Sequence, residues 1–189
     1  MNANAVLDFW FGAPGEADFG KARPLWFTKS DETDQLIRER FGGVLESALR
    51  SELAFWQTAP RDSLALIIVL DQFARNVYRD TPRSFAGDPE ALRIASNLVD
   101  RGEHRALRPI ERWFAYMPFE HSEFLNDQHE SVRLFEELAA DGLPDPLPWA
   151  IKHFDVIKRF GRFPHRNSIL GRTSTSEELA FLNEPGSRF

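Results

Sequence analysis

The chain has no cysteine. That excludes disulfides, thiolate zinc sites, iron–sulfur clusters and a cysteine nucleophile, and it suits a reducing compartment. Its longest apolar run, from Leu64 to Leu70, is too short to span a bilayer. Met1 to Trp10 holds Asp8 and no lysine or arginine, so no secretory signal is expected. The expected setting is cytoplasmic, with no membrane partner. Positive charge is in short supply as well. Lys and Arg number 23 against 29 Asp and Glu, a formal net charge of −6, which speaks against a nucleic-acid partner held by bulk charge. No Walker loop, Gly-x-Gly-x-x-Gly turn, Gly-x-Ser-x-Gly elbow or His-Glu-x-x-His pair occurs. Those routes to nucleotide binding, serine catalysis and zinc hydrolysis are closed. Two-residue alternation with β-branched enrichment is missing too, so no sheet is expected.

What the chain has in quantity is apolar and aromatic bulk. Of its 189 residues, 42% are hydrophobic, and 17 Phe and 5 Trp stand among them. Such a chain offsets its ordering entropy by burial and has the length of one domain, taken here as 1–189. Charge is unevenly placed. Glu120, Glu123, Asp127, Glu130, Glu136, Glu137, Asp141 and Asp145 crowd a window with Arg133 as its one base, whereas Lys158, Arg159, Arg162, Arg166 and Arg172 come later with no acid between Asp155 and Glu177. Either the two stretches balance each other across the fold, or the second is a local anion site.

Helical spacing and end signals recur along the chain. A short aromatic helix runs from Ala5 to Phe11 and stops at Gly12. Ser30 caps a second, from Asp31 to Arg50, with acids in its first turn and Gly42-Gly43 marking a kink or a close approach. A short segment covers 52–57, and Pro60 opens a helix reaching Tyr78. Asp88 caps, and Pro89 opens, a helix to Arg101 that Gly102 ends. Pro109 opens the next, whose stripe is Ile110, Trp113, Phe114 and Met117 and whose end Pro118 limits. Ser122 caps a helix to Ala140 with Phe124, Gln128, Val132 and Phe135 inward. Pro148 opens one to Phe160 with Gly161 in the stop position, and Thr175 to Glu178 form a capping box for a last helix near Leu182. The predicted class is all-α: antiparallel helical hairpins stacked as a bundle or short superhelix.

Three stretches resemble a known family when read together. They are Asp71-Gln-Phe-Ala-Arg-Asn76 with Phe85-Ala-Gly-Asp88, then Pro118-Phe-Glu-His-Ser-Glu123, then Arg159-Phe-Gly-Arg-Phe-Pro-His-Arg-Asn167 with Leu170-Gly-Arg-Thr-Ser174. With Val6-Leu-Asp-Phe-Trp10 at the start, the chain is similar over nearly its whole length to the bacterial family called domain of unknown function 924. The resemblance implies an all-helical fold similar to tetratricopeptide-repeat superhelices and brings no established activity. Ala74 stands where proline is expected in many relatives, and alanine suits a helix better.

The helix from Pro60 to Tyr78 is apolar all round in its first half. In its second half Asp71, Gln72, Arg75, Asn76 and Arg79 share one arc. Asp71 with Arg75, and Gln72 with Asn76, are four apart and able to pair. The arc is either a buried network that sets packing or a cleft wall. His153 sits in a stripe of Trp149, Val156, Ile157 and Phe160, the setting of a satisfied core histidine. His121 ties a loop or serves as a base, and His104 and His129 read as surface residues. His121, Glu123, His153 and His165 lack compact ligand spacing, so no metal and no cofactor is expected. Ser122 has no elbow around it. The loop after Gly161, stiffened by Pro164, carries Arg162, His165, Arg166 and Asn167, which either clamp an anion or satisfy helix ends and acids.

Three functions stay open. The first is a binding module whose groove, lined by Gln72, Arg75, Asn76, Arg79, Arg162, His165, Arg166 and Asn167, takes an anionic small molecule or a peptide carboxylate. The second is a small hydrolytic enzyme with His121, His153 or His165 as general base, Asp71 or Glu123 orienting it, and arginines stabilising negative charge. The third is a structural partner in a homo-oligomer.

Overall fold

Side-chain caps set the start of some of the helices. In the computed structural model, which describes residues 2–187, Asn2 Oδ1 accepts the Ala5 N–H at 3.1 Å and starts α1, Ala3–Phe11. Ser30 Oγ accepts the Thr33 N–H at 3.2 Å and starts α2, Asp31–Leu49, with Asp31, Glu32 and Asp34 in its first turn. α3 is continuous over 60–77: an α segment Pro60–Ile67, a π turn Ile68–Phe73, and a closing α turn Ala74–Val77. Then come α4 (Asp88–Asp100), α5 (Pro109–Glu120), α6 (Leu125–Ala140), α7 (Leu147–Phe160) and α8 (Ser176–Phe181). Thr175 and Glu178 close the predicted capping box on α8. No strand occurs among the described residues. None of their helices is long and apolar enough to cross a membrane.

From α2 to α7 each helix packs on the next, and α3 touches α1 and α5 as well as its neighbours α2 and α4. Every residue from Ser63 to Ala74 is buried, as the all-round apolar pattern requires. Phe73 meets Trp10 at 5.6 Å and Phe41 at 4.9 Å between ring centroids, and Trp10 meets Phe114 at 5.5 Å. Gly87 is pressed against α3: a Cβ there would lie 2.3 Å from the Leu70 carbonyl oxygen. The Phe85-Ala-Gly-Asp88 stretch therefore holds glycine because backbone meets backbone, and α4 starts where it does because α3 stands behind it.

Several expected boundaries move. Asp88 is the first residue of α4 rather than its cap, which is Gly87; its carboxylate is taken by Arg75. Pro118 lies inside α5, which continues to Glu120. The Gln128 side-chain amide reaches the Phe119, Glu120 and Ser122 carbonyls at 3.3, 2.7 and 2.7 Å, satisfying the end of α5. Ser122 caps nothing. Its hydroxyl donates to Asp127 at 2.6 Å and accepts the Phe124 N–H, so α6 begins later and Phe124 is exposed. α2 runs through Gly42-Gly43 as helix, and nothing lies within 4 Å of a Cβ built on either glycine, so the pair marks neither a kink nor a close approach. His104 is buried beneath the Leu98 carbonyl instead of lying on the surface, and Trp149 is exposed instead of lining the His153 stripe.

Candidate functional site

The π turn of α3 carries the centre of the site. Asp71 is 1% exposed, and its carboxylate has three partners: Arg75 at 3.0 Å, the Gln72 amide at 2.6 Å and His121 Nδ1 at 2.7 Å. Burial by itself would raise its pKa. Arg75, His121 and Gln72 outweigh burial and hold the carboxyl well below the usual range. Arg75 also grips both oxygens of Asp88, at 2.8 and 3.0 Å. His121 comes directly after the last residue of α5. Burial first, and then the Arg75 charge, push its pKa down against the pull of Asp71. The consistent proton placement is an ionised Asp71 accepting from Nδ1–H of a neutral imidazole, which leaves the Nε2 lone pair available. Of the His121 side chain 12% reaches solvent.

A second dyad lies beside the first. Glu120, also buried, stands 2.9 Å from His153 Nδ1, which is 2.8 Å from the Trp149 carbonyl as well. The His121 and His153 rings are 6.2 Å apart, and Phe163 sits 5.5 Å from His153 and 5.6 Å from His165. Burial and then Arg166 drive the His165 pKa down to about 3. Arg166 comes from the turn Pro164–Arg166 and closes the cluster. Its Nη2 donates to the His121 carbonyl at 3.0 Å, and its guanidinium lies 4.7 Å from the Phe85 ring centre and 4.6 Å from that of Phe163. Its nearest carboxylate oxygen, on Asp88, is 3.6 Å away.

The predicted arc of α3 is thus split. Asp71, Gln72 and Arg75 join His121, His153, His165 and Arg166. Asn76 and Arg79 turn to α2, where both bind Asp34, at 2.7 Å and at 2.6 and 2.8 Å. The π turn shifts the phase of the residues after it relative to a straight 3.6-residue repeat, and Asn76 does not pair with Gln72. Arg162 points out of the cluster to Glu178, at 2.6 and 2.8 Å, and to the Thr173 carbonyl. Glu123 is a clamp. It accepts the Phe163 N–H at 2.8 Å and both ends of the Arg172 fork, and it orients no histidine. Asn167 is buried within its own loop, donating to Ser174 at 3.0 Å. Of the basic stretch, Arg172 pairs with an acid of the acidic window, Glu123; Arg166 reaches that window at the His121 carbonyl, and Arg159 and Arg162 pair with Glu177 and Glu178.

Sequence reasoning misses Asp88, Glu120 and Phe85 as members of the site. Asp88 reads as a cap because it precedes proline, and Glu120 reads as part of an acidic surface although it is buried. The usable signal is the set of family-like stretches, since 71–76, 85–88, 118–123 and 159–167 each contribute to the cluster. No three His, Asp or Glu among the described residues come together as a metal site.

Fold and site define an all-helical protein with two histidine–carboxylate dyads and a buried arginine where its central helix meets its C-terminal loop. The chain belongs to the family described as "Bacterial protein of unknown function (DUF924)", which matches residues 6–186. It is similar to a solved protein of unknown function from Agrobacterium tumefaciens, with 36% sequence identity, a TM-score of 0.84 and 96% of each chain covered. None of the curated proteins matches it.

Proposed function

We propose that the chain binds a small molecule through one carboxylate at Arg166, on a tetratricopeptide-like stack of helices. The observation that carries this reading is a contrast between two buried arginines. Arg112 and Arg166 are 6% and 7% exposed. Arg112 holds Asp141 at 2.7 Å. The carboxylate nearest Arg166, that of Asp88, is 3.6 Å away and already gripped by Arg75; the Nε of both arginines lacks a partner, so the difference lies in the carboxylate alone. A buried guanidinium whose nearest anion is shared with another arginine is under-compensated, and burial first, then Arg75, pull its pKa down to about 10 against Asp88, Glu123 and Asp71. A ligand carboxylate supplies the missing acceptor. Asp71 and Asp88 already offset Arg75, so a singly charged anion fits better than a dianionic phosphate. Phe85, Arg75, Asp88, His121 and His165 around Arg166 are each only partly buried, and a ligand would approach along them.

The test is thermal unfolding at low ionic strength with acetate, succinate or phosphate. A carboxylate at 100 times its Kd should stabilise by about 2.7 kcal/mol. Arg166→Met should abolish the effect and Arg166→Lys should weaken it, whereas Arg162→Ala should leave it intact. If no carboxylate raises Tm, or if Arg166→Met still responds, the cluster is scaffolding.

A further inference from the structure

We infer that His121 is a general base that activates water against an ester bond in the carboxylate-bearing molecule held by Arg166. The inference rests on the binding reading above and adds an activity to it. Four features of the geometry carry it. First, the Nδ1 side of the imidazole is taken by Asp71 at 2.7 Å, so the proton-accepting lone pair is on Nε2. Second, Asp71 is itself immobilised by Arg75 and Gln72, which makes it a positioning residue with its charge kept in place. Third, Arg166 donates to the His121 backbone carbonyl at 3.0 Å, so the ligand's anchor and the base are tied to one point of the chain. Fourth, the Phe85 and Phe163 rings flank the guanidinium and hold that anchor still. His153 lies further in, 6% exposed and engaged by both Glu120 and Trp149, and is the less available imidazole.

The step balances without a further reactant. Water adds to the ester carbonyl carbon while His121 Nε2 takes its proton. The new C–O bond forms, the C–O bond to the alcohol breaks, and the imidazolium returns the proton to the departing alkoxide. The products are a carboxylic acid and an alcohol.

The probes are the mono-p-nitrophenyl ester of succinate and p-nitrophenyl butyrate, which have the same acyl length with and without the carboxylate. The wild type should release p-nitrophenolate from the succinate ester in preference. His121→Gln and Asp71→Asn should each lower kcat by about 10²- to 10⁴-fold, while succinate still raises their Tm. Arg166→Lys should act mainly on KM. The groups facing His121 are Asp71 and Arg75 from α3, Asp88 from α4, Glu120 beside it, Glu123, His153 from α7, and His165 and Arg166 from the loop. With burial and Arg75 dominant among them, the wild-type rate should fall only below pH 6.5. Asp71→Asn should move that acid limb further down, a change a purely structural role would not produce. If succinate stabilises the wild type but ester cleavage does not exceed that of His121→Gln, the base is disproved and the binding reading stands. If succinate does not bind, the binding reading fails first.

Discussion

The helices up to α5 and the segment 161–187 are held together by different means. The first region is a continuous apolar core, with Trp10, Phe11, Phe41, Phe73 and Phe114 all essentially inaccessible to solvent. The second buries little of its own. Phe163 joins Val156 and Ile157 with Phe160 and Phe181 against them, in a cluster separate from the main core. The rest of its attachment is polar: Arg172 on Glu123, Glu177 on Arg159 and Arg166 on the His121 carbonyl, while Arg162 on Glu178 closes the segment on itself. Apolar packing tolerates rearrangement as long as volume is kept. A paired charge has to find its partner in one geometry. The site lies where the two regimes meet, because Arg166 arrives from the charge-held loop and lands on the end of α5 and the start of α4.

Truncating a core aromatic should do the most damage. Phe73→Ala should cost about 3–5 kcal/mol, read as a fall in the urea midpoint at constant slope. A cost under about 1 kcal/mol would mean that the first region does not depend on its aromatic packing. Next in size is the seam. Asp71→Ala strands Arg75 and His121 in a buried setting and should cost about 3 kcal/mol; Asp88 remains on Arg75 and keeps the figure at the low end. A double-mutant cycle with Arg75→Ala should show strong coupling, and additive effects would show that the pair does not interact.

The loop clamp should respond more weakly. Glu123→Gln should cost about 1–2 kcal/mol and should loosen amide exchange over 161–174 before it affects α3. Burial pushes the Glu123 carboxyl up, but Arg172 and the Phe163 N–H outweigh it and hold the group below 4.5. Its contribution is therefore present above pH 4.5 and lost as pH falls through the lowered folded value. Exchange in this loop should rise on acidification in the wild type, and the Glu123→Gln loop should respond less. A loop whose exchange is indifferent to pH across that range would remove charge from the account of how it is held.

Periodicity, prolines and capping residues in the sequence suffice for the all-helical class and for most helix starts. Ser30 and the Thr175 to Glu178 box perform as predicted because a cap bonds within a few residues of itself. The misplacements share one cause. Asp88 and Ser122 have the chemistry of caps, yet Arg75 and Asp127 compete for their oxygens. Pro118 looks like a terminator, yet Gln128 on the neighbouring helix serves the carbonyls at the end of α5.

The same division holds for the site. The pairing of Asp71 with Arg75 is legible in the chain, because four-residue spacing brings them within reach and opposite charge holds them, whereas the same spacing without charge leaves Gln72 and Asn76 apart. The sequence by itself also determined that Gly161 and Pro164 would end α7 and stiffen an arginine-bearing loop. Packing settled which buried arginine has to share its acid. Arg75, Arg79, Arg162 and Arg172 found Asp88, Asp34, Glu178 and Glu123 across separations that no local pattern encodes, while Arg166 arrived beside an Asp88 already taken. Local bonding is written in spacing. Which charges stay uncompensated depends on competition among groups that only the packed fold brings within a few ångströms.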